Sequence, residues 1–93
     1  MKVRHTNESL VAIVDKNVLE NEKLSWGAKG LFAYIASRPD DHKITIAGLV
    51  GSSLNGRDAT TGFLNELINA GLVIRNQIKE NGKFNRYEYL INQ

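Results

Sequence analysis

Cysteine is missing altogether from this 93-residue chain, which removes disulfides, thiolate catalysis and zinc-finger chemistry together. The fold must therefore be held by packing alone. Histidine is nearly as scarce. His5 and His42 are the only two, one near a terminus and one in a loop, with no ligand spacing between them, so no metal site is expected. No apolar run approaches the ~20 residues of a membrane span. The start, Met1-Lys2-Val3-Arg4-His5, leads into polar sequence rather than a signal-peptide core, so a cytoplasmic protein is expected. Strong charge of one sign is absent too: the net charge is +2. Residues 1–41 carry six Lys/Arg against six Asp/Glu, and residues 42–93 carry six against four, a weak basic excess in the second half.

What is present is ordinary for a globular chain, with 42% hydrophobic and 24% charged residues. The length fits one domain over residues 1–93, and no repeat, linker or low-complexity tract divides it. Leu10-Val11-Ala12-Ile13-Val14 reads as a short buried strand or a clamp across the core. Asp15 caps a helical turn over residues 16–20, and Ser25 caps a helix over residues 26–37. In that helix Leu24, Ala28, Leu31 and Ile35 make an apolar stripe that Phe32, Ala33 and Ala36 widen, so it should lie centrally, with Trp26 in the core. Gly27 and Gly30 each cost a helix about 1 kcal/mol, for which close backbone packing is the expected reason. Pro39, the single proline, stops this helix, and Asp40 and Asp41 complete a solvated turn. A tiny extended piece follows at residues 43–45. Thr45 then caps a short helix whose residues 46, 49 and 50 form one face. Asn55 and Asp58 resemble a capping box for a helix over about 56–70 that Gly71 terminates, with Ala59, Phe63, Leu64, Leu67, Ile68 and Ala70 facing inward.

The end of the chain pairs off by itself. Asn81-Gly82 between two apolar-alternating runs signals a type I′ hairpin, because that turn needs positive φ at both central positions. Counting outward from Glu80 opposite Lys83 sets Gln77 against Arg86, Asn76 against Tyr87, Arg75 against Glu88 and Ile74 against Tyr89. One face then collects Ile74, Ile78, Tyr87 and Tyr89, and the other carries an Arg75–Glu88 charge pair. The order strand, helix, tiny strand, helix, helix, hairpin predicts an α+β winged helix-turn-helix: three main helices, a C-terminal β-hairpin wing and a short N-terminal strand.

In such a fold the penultimate element reads the major groove, which takes small polar or basic side chains on its outer stripe. Arg57, Thr60, Thr61 and Asn65 satisfy that need, with Arg57 in the first turn. No glutamate lies on the stripe, since Asp58 sits at the cap and Glu66 off its line. At the hairpin tip Lys79, Lys83 and Arg86 offer cations for the flanking backbone or the minor groove, residues that equally protect an exposed edge from aggregation. No serine has a histidine at nucleophile spacing, and no glycine pattern follows a strand as in a phosphate loop, so no enzyme, catalytic residue or cofactor is expected.

These residues resemble the winged helix-turn-helix domain at the N terminus of many phage and plasmid replication initiators and replisome organisers of the DnaD-like kind. The likeness is carried by Leu24-Ser25-Trp26-Gly27-Ala28-Lys29-Gly30-Leu31 with Tyr34, and by Ser37-Arg38-Pro39-Asp40-Asp41. Further along it is carried by Ile46-Ala47-Gly48-Leu49, Gly56-Arg57-Asp58-Ala59, Leu64-Asn65-Glu66-Leu67, Ala70-Gly71-Leu72-Val73 and Tyr87-Glu88-Tyr89. The resemblance implies double-stranded DNA as the default ligand. It implies a role in replication initiation or transcription regulation, with a homodimer or a replication-protein partner as possible company. Two departures stand out: His42 replaces an aromatic residue that the family often has after the Pro-Asp-Asp turn, and the family's helicase-loading region is absent. A domain cut from a longer initiator and a free-standing phage or plasmid protein both fit. The rival expectation is a protein-interaction or self-association winged helix, favoured by the modest charge and by the apolar run at residues 10–14, which can extend a neighbour's sheet.

Overall fold

Three short polar side chains decide where the first three helices begin. In the computed structural model, which describes residues 10–39 and 42–91 and only the backbone of Phe84, Asp15 Oδ1 accepts from the Asn17 amide at 2.9 Å and starts α1 (Lys16–Leu19). Ser25 Oγ accepts from the Ala28 amide at 3.1 Å and starts α2 (Trp26–Ala36). Thr45 Oγ1 accepts from the Gly48 amide at 3.0 Å and starts α3 (Ile46–Val50). Each cap satisfies an amide that the helix itself leaves without a partner. Then come α4 (Arg57–Asn69), β1 (Val73–Glu80) and β2 (Lys83–Ile91), the two strands forming one antiparallel hairpin. The result is a small α+β domain of four helices and a C-terminal hairpin. The turn expected at Asp40-Asp41 and the terminal histidine His5 lie outside the described residues.

The core is a single cluster. Ala28, Phe32 and Ile35 from α2 meet Leu49 from α3, Leu64 and Leu67 from α4, and Val73 and Tyr89 from the hairpin, with Val18, Leu24 and Ile44 closing its edges. Phe32, 1% exposed, is among its largest fully buried side chains. Trp26 does not join it: the indole is 85% exposed, with the Lys29 ammonium 4.7 Å from the ring centroid. The core row of α2 runs 28, 32, 35, and residue 26 falls on the other side of the helix. The two glycines of α2 also part company. A Cβ on Gly27 would meet the Phe63 ring, so there the expected close packing holds; a Cβ on Gly30 would meet nothing within 4 Å.

The expected N-terminal strand is not found. Leu10 is helical, residues 11–15 have no regular structure, and Ile13 is 84% exposed. Among the described residues the one sheet is the β1–β2 hairpin, and this run does not join it. Residues 43–45 likewise pair with no strand, although Ile44 is buried.

The hairpin turn is as expected, with φ of 54° at Asn81 and 76° at Gly82, and Glu80 faces Lys83. Past the tip the register departs. Lys79 faces Phe84 but Ile78 faces Arg86, so Asn85 is an extra residue on β2 with none opposite. Such a bulge shifts every later pair by one and exchanges the faces. Arg75 therefore opposes Tyr89 rather than Glu88, and Asn76 opposes Glu88. The expected Arg75–Glu88 pair is replaced by an Arg75 guanidinium 4.7 Å above the Tyr87 ring, with Tyr89 opposite on the partner strand. Burial raises the Tyr89 hydroxyl pKa above its ordinary value, and the nearby Arg75 charge partly offsets that rise. Val73 and Tyr89 face the core, while Ile74 and Leu90, opposite each other, face out.

Candidate nucleic-acid interface

α4 is oriented by what it buries. Thr60, Leu64 and Leu67, at spacings of four and three, are its buried row, with Phe63 and Ile68 half-buried beside them. Its C terminus is fixed by a Schellman arrangement. The Leu72 amide donates to the Leu67 carbonyl at 2.9 Å and the Gly71 amide to the Ile68 carbonyl at 3.0 Å, with Gly71 at φ 76°. Its N terminus is bare by comparison. Gly56 is the cap residue and supplies no side-chain hydrogen bond, so the first-turn amides are left to solvent or to an incoming acceptor. The expected Asn55/Asp58 capping box is not made, because Asn55 turns back on Ser53: its amide donates to Ser53 Oγ at 3.1 Å.

This orientation sorts the sequence-derived stripe. Arg57 and Asn65 are exposed and Thr61 is half-buried, so all three stay accessible, Arg57 because it stands in the first turn ahead of the buried row. Thr60 does not: at 3% exposure it sits in the core row and cannot reach a base edge. Its position four residues before Leu64 and seven before Leu67 was the available signal. The inward row correspondingly loses Ala59 and Ala70, both exposed.

Glu66, off that stripe, has a structural role that sequence reasoning left unassigned. Its Oε2 accepts from Ser25 Oγ at 2.6 Å and its Oε1 from the Ser25 amide at 2.8 Å, so one carboxylate clamps the start of α2 to α4 while Ser25 also caps α2. The Ser25 hydroxyl bond, with the Ser25 amide bond behind it, lowers the Glu66 pKa below the ordinary 4.5. A depressed carboxyl pKa contributes stability that is fully present above its unfolded value and lost as pH falls through the folded value. Removing the charge as Glu66→Gln should therefore destabilise the domain above about pH 5, and the difference from the parent should shrink steadily below that, measured by urea unfolding across a pH series. Salt should weaken the effect, because the site is open to solvent. Ser25→Ala should be the more damaging change, at about 1 kcal/mol or somewhat more, since it removes a cap as well.

On the hairpin, Lys79 and Lys83 are exposed near the tip. Arg86 is partly engaged, with its Nη1 3.7 Å from Glu80 Oε1. Alternation puts Lys79 on the face of Arg75 and Gln77, and Lys83, opposite Glu80, on the other face. The two lysines thus flank the ribbon instead of sharing one side. β1 packs against α4, so the ribbon and that helix share one core. Among the described residues no helix is long and apolar enough to cross a membrane. No protein-family model, curated protein or solved structure matches this chain.

Proposed function

We propose that the protein is a double-stranded DNA-binding module of winged helix-turn-helix type, with α3 and α4 as the helix-turn-helix, α4 in the major groove and the β1–β2 ribbon as the wing on the backbone. The observation that carries this reading is the accessible polar set along α4. It comprises Arg57, Thr61 and Asn65, and the one glutamate of this helix, Glu66, is tied to Ser25. The uncapped first turn adds free amides beside Arg57, a feature suited to phosphate, although Asp58 in the same turn opposes it. Lys79 and Lys83 supply the flanking cations, and Arg86 does so only on leaving Glu80. The resemblance to phage and plasmid initiator domains supports replication initiation as the setting, ahead of transcription regulation.

A net charge of +2 implies weak binding by a lone domain, within the usual non-specific range of about 10⁻⁴ to 10⁻⁶ M at physiological salt. Titration of a labelled duplex at several salt concentrations tests this. The expected result is an affinity that falls steadily as salt rises. Duplex left unbound even at low salt overturns the reading. Self-association is the second reading, favoured by the outward Ile74–Leu90 pair and by exposed Leu10 and Ile13. Sedimentation separates them, because stable oligomers indifferent to duplex belong to self-association alone.

A further inference from the structure

Between α2, α4 and the turn after α3 lies a cavity of about 240 Å³, walled by Gly30, Leu31, Tyr34, Leu49, Thr60 and Phe63. Gly30 lines it and is itself exposed. Gly27, one turn earlier, is occupied on its open side by the Phe63 ring, so its lack of a side chain is used by the fold. At Gly30, nothing among the described residues beyond its own helix backbone lies within 4 Å of where a Cβ would stand, so the cavity is open on this side to a side chain or a ligand.

The polar end of this space has a defined sense. Ser52 Oγ donates its only proton to the Gly48 carbonyl at 2.7 Å, since a carbonyl can only accept. The Tyr34 hydroxyl must then be the donor in its 3.2 Å bond to Ser52 Oγ. Both hydroxyl protons are thereby committed, and what remains at the Tyr34 oxygen is acceptor capacity. Arg38 lies over the Tyr34 ring, 4.6 Å from its centroid, and holds that ring in place. Apolar walls, room for about one ring, and an oxygen that can only accept define the chemistry of an occupant.

We propose that this cavity is a binding site for a small single-ring apolar molecule carrying a hydrogen-bond donor, of the phenol or indole class. Because Ser52, Ser53 and Asn55 line it together with Thr60, occupancy would be felt in the α3–α4 turn and at the start of α4. The site does not depend on the DNA-binding reading, and its test needs no DNA.

The probes are phenol and anisole, which differ in the donor hydrogen, titrated into the ¹⁵N-labelled protein and followed by amide chemical shifts. Phenol should shift the amides of Gly30, Leu31, Thr60 and Phe63 saturably, with a dissociation constant of about 1–10 mM, as expected for so few heavy atoms. Anisole should bind about fivefold more weakly, the worth of one net hydrogen bond. Tyr34→Phe with Ser52→Ala removes both oxygens and should bring the two ligands to nearly equal affinity. Gly30→Leu fills the space and should abolish both. Phenol shifts that do not saturate at these amides overturn the proposal. So does phenol binding that survives Gly30→Leu, or a phenol preference that persists without both oxygens.

Discussion

Phe32→Ala is expected to destabilise the domain by about 3–5 kcal/mol, a drop in melting temperature of about 15–30 °C for a chain of this size, whereas Trp26→Ala in the same helix should stay under about 1 kcal/mol. Phe32 is 1% exposed in the one buried cluster that α2 shares with α3, α4 and the hairpin, so truncation loses the transfer of the whole ring and leaves a hole in that core. No disulfide stands behind that core, and small domains have little stability in reserve. Trp26 presents its ring to solvent and loses only the Lys29 ammonium above it. Thermal unfolding of the two single variants decides it. Equal losses would mean that the indole is buried and that the orientation of α2 described above is wrong.

That pair of aromatics also shows how far the fold could be read from the chain. Helix starts were legible at Asp15, Ser25 and Thr45, because a cap depends on one side chain and the amides next to it. The hairpin turn was legible for the same reason, Asn81-Gly82 being a local conformational demand. Facing was not. Trp26 and Thr60 were each assigned by residue type, apolar inward and polar outward, while the helical row that includes Leu64 and Leu67 buries a threonine and the one through Phe32 leaves a tryptophan outside. The strand pairing failed at one residue: the bulge at Asn85 leaves no mark in composition or alternation, yet it moves Arg75 from Glu88 to Tyr87 and Tyr89. Of the candidate interface, Arg57, Thr61, Asn65, Lys79 and Lys83 keep accessible positions, Thr60 is lost to the core, and Arg86 is drawn to Glu80. The Ser25–Glu66 clamp spans 41 residues of sequence, and no local pattern announces a contact of that kind.

The largest expected effect on function lies in the pattern across four substitutions measured on one duplex. If α4 enters the major groove by its first turn, Arg57→Ala should weaken binding roughly five- to 150-fold where it reads a base, and should lower the salt slope by about one where it holds a phosphate. Thr60→Val should leave affinity unchanged, because a side chain 3% exposed has no path to the groove and valine preserves its volume. The lysines then report how the ribbon lies. Lys79 and Lys83 emerge on opposite faces, so a ribbon laid flat on the backbone engages one of them, and one placed edge-on engages both. Each engaged lysine should remove about one from the logarithmic salt slope on mutation to alanine, and a lysine facing away should remove none. If Arg57→Ala combined with Lys79→Ala and Lys83→Ala leaves both the affinity and its slope at parent values, neither the helix nor the ribbon touches DNA, and the self-association reading takes its place.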